Sequence, residues 1–118
     1  MYEYKVKEVV RVVDGDTVDV FLDLGFNITV KKRIRLYGID TPETRLQSKI
    51  KNVEERKAEK KRGLKSKEKL KILLLSAKEL YIRSEGLGKY GRVLGVIRDQ
   101  DGLCINDYML EHGYATKM

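Results

Sequence analysis

Alternation of apolar and polar side chains over residues 6–36 restricts the fold more than any other feature of the sequence. A period of two places every second side chain on the same face of a strand. The alternation is clearest in residues 17–24. There the apolar positions expected to face a core are Val18, Val20, Leu22 and Leu24, with Asp19 and Asp23 on the other face. Residues 6–13 are rich in valine and residues 28–36 continue the pattern, so the chain opens with three predicted strands.

Two short turn sequences join these strands into a meander. Asp14-Gly15 is a tight-turn dipeptide, and the Gly-Phe-Asn segment 25–27 is a second turn. In the third strand the expected core positions are Ile28, Val30, Ile34 and Leu36. Pro42 is the only proline of the sequence. It ends the meander, because proline cannot donate a hydrogen bond to a sheet.

A helical pattern follows the meander. From residue 64 onward, apolar residues recur near one helical face, namely Leu64, Leu70, Leu73, Leu74 and Ala77. The lysine-rich segment 44–62, followed by Gly63, is interpreted as a loop or a solvated helix that leads into this packed helix. Two further strands are predicted near residues 79–83 and 92–98. Asn106 is expected to cap a short helix over residues 107–112, with Gly113 at its end.

The order of these elements predicts an α+β, mainly β, fold. It is a five-stranded OB-type barrel with one helix between strands 3 and 4 and a short helix after strand 5. The 118 residues suffice for one domain. We place this single domain at residues 1–118, with a basic loop or helix insertion at about 45–63.

Composition narrows the partners that such a domain can have. The net charge of +7 and the sequence pI of about 9.5 favour polyanions, either nucleic-acid phosphates or anionic lipid headgroups. Cys104 is the only cysteine, so no internal disulfide forms, and its apolar neighbours predict a small core residue. The sequence shows no leader-like or membrane-spanning apolar segment. We therefore expect a cytoplasmic monomer without a membrane partner, or a secreted one if a leader was removed.

Four short clusters bring acidic and basic residues to the ends of predicted strands. They are Asp14-Gly15-Asp16-Thr17, Arg33-Ile34-Arg35, Asp40-Thr41-Pro42-Glu43 and Lys89-Tyr90-Gly91-Arg92. Phosphodiester hydrolysis needs cations against the phosphate oxygens, oxygen ligands for a hard metal ion, and a carboxylate that takes a proton from water. The clusters supply all three. Taken singly, each is also typical of an ordinary turn, solvated strand face, cap or loop, and their occurrence together favours the functional interpretation.

Three runs of the sequence resemble the signature motifs of the staphylococcal nuclease family. They are Val-Asp-Gly-Asp-Thr-Val at 13–18, Arg-Leu-Tyr-Gly-Ile-Asp-Thr-Pro-Glu at 35–43 and Lys-Tyr-Gly-Arg at 89–92. Residues 105–115 are similar to the second helix of that family and the turn after it. The resemblance implies an OB barrel and a calcium-dependent nuclease. Family members cut DNA and RNA at the 5′ oxygen and leave 3′-phosphates.

The resemblance also implies a role for each site residue. The carboxylates of Asp16 and Asp40 and the backbone carbonyl of Thr41 would bind one Ca²⁺ ion. Glu43 would act as general base on the attacking water, and Arg35 and Arg92 would clamp the scissile phosphate. Two further residues, Lys89 and Tyr90, would contact a neighbouring phosphate of the DNA or RNA substrate.

Two alternatives remain open at this stage. The first is a catalytically inactive OB-type module that only binds nucleic acid or protein. The presence of all five acidic and arginine residues argues against it. The second concerns the basic stretch at 45–71, which is either an arm that follows a nucleic-acid backbone or a solvated segment that merely supports a helix.

Overall fold

The computed structural model describes residues 2–44, 52–88 and 91–118. The elements in chain order are β1 (Glu3–Asp14), β2 (Thr17–Asp23), β3 (Thr29–Leu36), β4 (Ile39–Asp40), α1 (Val53–Ser76), β5 (Leu80–Leu87), β6 (Val93–Asp99), α2 (Ile105–Glu111) and β7 (Thr116–Lys117). The turn predicted at Asp14-Gly15 joins β1 to β2, and the turn at 25–27 joins β2 to β3.

Five strands close into a barrel in the order β1-β2-β3-β6-β5, so the predicted five-stranded OB-type fold is confirmed. Neighbouring strands are antiparallel except β3 and β6, which run parallel with Arg35 opposite Leu94. Helix α1 lies between the third and fourth strands of the barrel, and α2 follows the fifth. The small second sheet of β4 and β7, in which Asp40 pairs with Thr116, was not predicted.

The barrel interior contains most of the side chains that the strand pattern assigned to a core. The buried ones include Val18, Val20, Leu22, Ile34 and Leu36. Two assignments were wrong, because Leu24 and Ile28 are exposed at the tip of the β2–β3 hairpin. This tip extends past the barrel wall, and its turn residues Phe26 and Asn27 have positive φ angles. Cys104 is only half-buried rather than a core residue, and burial raises the pKa of its thiol.

Helix α1 begins well before the packed segment that the apolar pattern indicated. Its amino end is capped by Asn52, whose side chain accepts a hydrogen bond of 3.1 Å from the backbone N–H of Glu55. The lysine-rich residues from Val53 onward are therefore helical and continuous with the packed part. Leu70 and Leu74 are buried as predicted, but Leu64 is exposed. It lies about 80–120° around the helix from these two residues, beside the buried face and not on it.

The cap predicted for α2 is wrong. The N-cap residue is Cys104, and Asn106 lies inside the first turn and is buried. The Asn106 side chain accepts a hydrogen bond of 3.0 Å from the N–H of Ile97 and donates bonds of 2.9 and 3.1 Å to the carbonyls of Tyr37 and Gly95. The Asn106 side chain therefore joins α2 to the barrel and does not cap the start of the helix. Gly113, with φ of +77°, follows the helix as predicted.

Within the described ranges, no helix is long and apolar enough to cross a membrane.

An ion pair between the neighbouring strands β2 and β3 is expected to make the free energy of unfolding depend on pH. Asp19 lies directly opposite Arg33, whose Nε and Nη2 donate hydrogen bonds of 2.8 and 3.1 Å to its carboxylate. This hydrogen bonding lowers the pKa of Asp19 although burial opposes it. A lowered carboxylate pKa stabilises the fold above the unfolded value of about 4 and ceases to do so as the pH falls through the folded value.

We therefore expect Asp19→Asn to lower the free energy of unfolding by about 1 kcal/mol at neutral pH, the size of a part-exposed pair. The difference from the native chain should shrink as the pH falls below about 4 and through the lowered pKa of the folded carboxylate. Urea unfolding followed by circular dichroism over a series of pH values from neutral downward measures the difference. A loss that stays constant over the whole series would contradict the proposed linkage.

Candidate active site

Arg35, near the end of β3, is held in place by the backbone. Its Nη1 donates hydrogen bonds of 3.1 and 2.8 Å to the carbonyls of Leu36 and Ile39, and the residue is only 8% exposed. These two bonds fix the plane of the guanidinium and leave Nη2 directed toward acidic residues. Nη2 lies 3.3 Å from Asp16 Oδ2 and 3.3 Å from Asp40 Oδ1. Two carboxylates therefore meet one guanidinium nitrogen.

Asp16, in the turn between β1 and β2, is buried and strongly hydrogen-bonded. Its Oδ1 accepts a bond of 2.9 Å from the hydroxyl of Thr17, and its Oδ2 accepts one of 3.0 Å from the backbone N–H of Thr41. The carboxylate thus joins the β1–β2 turn to the segment after β4. Because Asp40 is largely exposed, the pair presents one buried and one accessible carboxylate to the same guanidinium.

Thr41 is buried next to these carboxylates. Its Oγ1 makes no hydrogen bond within the part of the chain that the structure describes. A buried hydroxyl without a partner is unusual, because a lost hydrogen bond at a buried polar atom costs about 1–3 kcal/mol. The oxygen is therefore a free donor and acceptor beside Asp16.

Helix α1 supports both acidic segments through small residues on its buried face. A Cβ added to Gly63 would lie 2.1 Å from the carbonyl oxygen of Glu43, and one added to Gly15 would lie 2.7 Å from Cβ of Ser66. The helix therefore packs directly against the backbone of the turn and of the loop. Ser66 also donates a hydrogen bond of 2.6 Å to the carbonyl of Tyr114. These contacts fix the distance between the two segments.

Two open grooves lie beside the carboxylate–guanidinium cluster. One, of about 340 Å³, is lined by Arg35, Leu36, Tyr37, Gly38, Leu94, Lys117 and Met118. The other, also about 340 Å³, is lined by Asp40, Thr41, Pro42, Glu59, Arg62 and residues 113–116. The short β4–β7 ribbon contributes residues to both. A larger cavity of about 510 Å³ lies between β1 and the carboxyl end of α1, and none of the predicted site residues line it.

The structure brings four of the predicted site residues into direct contact, namely Asp16, Arg35, Asp40 and Thr41. Glu43 is exposed in the adjoining loop, and its backbone N–H donates a hydrogen bond of 3.2 Å to Glu59 of α1. Arg92 immediately precedes β6, beside the strand that carries Arg35. Lys89 and Tyr90 lie outside the described residues.

Several supporting residues were not identified from the sequence. The sequence only places Gly63 after the lysine-rich segment. In the structure it is the residue at which α1 packs against the backbone of Glu43. A lone glycine in a helical segment was the available signal, because it costs about 1 kcal/mol relative to alanine and usually needs a packing reason. Glu59 gave no comparable signal in its lysine-rich surroundings.

Comparison with known proteins identifies the family of the chain. The family model described as staphylococcal nuclease homologue matches residues 33–118, which include every element from β4 onward and the second half of β3. The chain belongs to this family.

An uncharacterized endonuclease of Escherichia coli is 31% identical over 107 residues, covering 91% of this chain and 57% of that protein. An uncharacterized endonuclease of Escherichia coli O157:H7 is similar to the same extent. The chain therefore spans a little over half the length of these relatives.

Proposed function

We propose that the chain is a calcium-dependent nuclease that hydrolyses phosphodiester bonds of DNA or RNA at the 5′ oxygen and leaves 3′-phosphates. The observation that supports it most is the contact of Arg35 Nη2 with both Asp16 and Asp40 beside open grooves. Membership of the staphylococcal nuclease homologue family and the endonuclease names of two relatives agree with it.

The oxygen atoms around Asp16 fit a hard cation. Calcium binds six to eight oxygens from carboxylates, carbonyls and water. Asp16 Oδ2 and Asp40 Oδ1 each lie 3.3 Å from Arg35 Nη2, so both carboxylates face the same point of the site. In this proposal Asp16, Asp40 and the Thr41 carbonyl hold the ion. Within residues 2–44, 52–88 and 91–118, no group of three or more His, Cys, Asp or Glu side chains is placed to hold a metal. Water and substrate oxygens would therefore complete the coordination.

Each remaining residue has a task in this scheme. A bound calcium ion neutralises phosphate charge and orients water. Arg35 Nη1 is fixed by two backbone carbonyls, and Nη2, which contacts Asp16 and Asp40, would donate to the phosphate oxygens when calcium takes up these carboxylates. Arg92 supplies a second guanidinium from the neighbouring strand. Glu43 takes the proton from the attacking water. Lys89 and Tyr90 contact the next phosphate.

Substitution of the base and of the second arginine tests the scheme. We expect Glu43→Gln and Arg92→Ala each to reduce turnover by a factor on the order of 10²–10⁴, because each removes one group that acts in the transition state. The assay follows cleavage of a plasmid and of a labelled single strand with calcium, with magnesium and with chelator. Thermal unfolding of each variant serves as the control for folding.

Normal turnover in both variants would overturn the mechanism. Absence of cleavage with every metal, with nucleic-acid binding intact in a gel shift, would favour the inactive binding module instead. Cleavage that persists in chelator would exclude the metal requirement. Product ends that accept a phosphate from a kinase only after phosphatase treatment of the 5′ end would contradict scission at the 5′ oxygen.

A further inference from the structure

Most of the net positive charge of the chain lies on three turns of α1. Residues 56–67 contain seven lysines and arginines and one glutamate, a net charge of +6, against +7 for the entire chain. The stretch is helical throughout. The rest of the protein is therefore nearly neutral, and its attraction for a polyanion is concentrated at one place.

Four exposed lysines of this stretch form what we call the lysine face, defined as Lys57, Lys60, Lys61 and Lys65. Three of them recur every four residues, so they make one row on the helix, and Lys60 adjoins it. No ion pair to any of the four occurs in the described part of the chain. The row extends over about 12 Å at 1.5 Å per residue.

The one acidic residue of the stretch points elsewhere. Glu59 accepts hydrogen bonds from the Glu43 backbone and from Arg62, on the barrel side of the helix. Charges of opposite sign are therefore separated between the two sides. Repulsion within the lysine row destabilises the helix, because like charges four residues apart cost about 0.2–0.5 kcal/mol per pair. A bound polyanion would remove this repulsion.

Helix α1 carries the lysine face and also contacts the candidate active site. Gly63, on the same helical turns, touches the backbone of Glu43, and Glu59 and Arg62 line the groove that contains Asp40. The lysine row lies on the exposed side of α1, and Arg62 lies between this groove and Lys65, three residues further along the helix. A strand that leaves the groove past Arg62 and crosses α1 therefore reaches the lysine row. Phosphates of one B-DNA strand advance about 3.4 Å each along the axis, so the row spans three or four of them.

We propose that the lysine face binds phosphates of the substrate strand beyond the scissile bond, which makes polymeric nucleic acid the preferred substrate over short oligonucleotides. This inference rests on the proposed nuclease function. The lysines do no chemistry here. They lengthen the contact between enzyme and substrate, and their contribution is electrostatic and independent of sequence.

The test replaces all four lysines with glutamine, which has nearly the same helix propensity. A matched control replaces the exposed Lys7, Lys31, Lys32 and Lys78, which lie on β1, on β3 and just before β5. Binding of a labelled strand of about 30 nucleotides is measured in chelator over a range of salt concentrations. Cleavage of the same strand and of a trinucleotide is measured with calcium.

We expect the log–log salt dependence of binding to this single strand to become shallower by about 0.7 for each lysine that contacts a phosphate. The dissociation constant for the long strand should rise at least about tenfold at moderate salt. The control variant should differ from the native chain by less than about twofold, as should trinucleotide cleavage by the lysine-face variant.

Equal salt dependence in the two variants would overturn the proposal, as would an equal loss of trinucleotide and long-strand cleavage in the lysine-face variant. If the native chain cleaves neither substrate, the nuclease proposal fails. The binding comparison in chelator then still decides whether the lysine face contacts phosphates.

Discussion

Replacing Arg35 with alanine is expected to lower the rate of phosphodiester cleavage by a factor of about 10²–10³ and to destabilise the fold as well. The first effect follows because Nη2 is lost from the place where phosphate charge would develop. The second follows because Asp16 is buried and would lose its cationic partner. Removing one partner of a buried ion pair typically costs about 3–5 kcal/mol.

A second variant separates these two effects. Asp16→Asn combined with Arg35→Ala removes the unpaired buried charge, so it should recover much of the stability that Arg35→Ala loses. It should not recover activity, because both the carboxylate and the clamp are missing. Chemical unfolding gives the stabilities, and cleavage of a labelled strand gives the rates. A double variant as unstable as the single one would show that the ion pair is not the source of the loss.

Calcium provides an independent measurement on the same variants. In Arg35→Ala the two carboxylates lack their shared cation, so bound calcium should raise the midpoint of thermal unfolding more than in the native chain. The double variant should show little calcium effect, because one carboxylate is gone. Identical calcium shifts in the native chain and both variants would place the metal away from Asp16 and Asp40.

Gly63→Ala is expected to reverse the usual sign of a glycine-to-alanine change in a helix. At an exposed helical position, this substitution stabilises by about 1 kcal/mol. At Gly63 the new Cβ would lie 2.1 Å from the Glu43 oxygen, 2.5 Å from the Glu43 carbonyl carbon and 2.7 Å from the Pro42 oxygen, all of them backbone atoms. Backbone cannot rotate away as a side chain can, so either the helix or the loop has to shift.

We expect a net destabilisation of about 1–3 kcal/mol, the usual cost of overpacking. Because the displaced loop carries Glu43, turnover should also fall, by about 10²-fold for a shift near 1 Å. Lys61→Ala, on the exposed side of the same helix, is the matched control and should change stability by less than about 0.5 kcal/mol. Gly63→Ala with native stability and native turnover would show that the contact with Glu43 is not essential.

The barrel could be predicted because its signals are local. Val18, Val20 and Ile34 occupy alternate positions in short segments separated by turn residues, so each strand is recognisable without knowledge of its partners. Leu24 and Ile28 satisfy the same pattern but lie at a hairpin tip, where no second layer covers them. The alternation predicts which side chains share a face of the strand. Only those that lie within the barrel, and not beyond its end, are buried by the opposite strands.

The first half of α1 could not be predicted as clearly, because a helix without an apolar stripe has no period to detect. Its start depends on the Asn52 cap, and its position depends on Glu59 and Gly63 meeting the Glu43 backbone. The β4–β7 ribbon could not be predicted from the sequence for another reason. Strands of two residues are too short to show alternation, and their pairing depends on contacts between distant parts of the chain.

The candidate site residues were predicted from their motifs, but their arrangement was not. The motifs predict that Asp16, Arg35 and Asp40 act together, and in the structure Arg35 contacts both carboxylates. It did not indicate that Arg35 is fixed by the carbonyls of Leu36 and Ile39. Backbone carbonyls carry no sequence signal, so the anchoring of a side chain by the main chain becomes visible only in the folded structure.

The pairing of Asp40 with Thr116 has a consequence for synthesis of the chain. Asp40 is translated early, but Thr116, which pairs with it, is translated 76 residues later, shortly after the Tyr114 carbonyl that accepts from Ser66. A nascent chain that has emerged only as far as α2 lacks both contacts. The segment around Asp40 therefore gains these contacts only after residue 117 has left the ribosome, although its contact with Arg35 joins residues that are translated together.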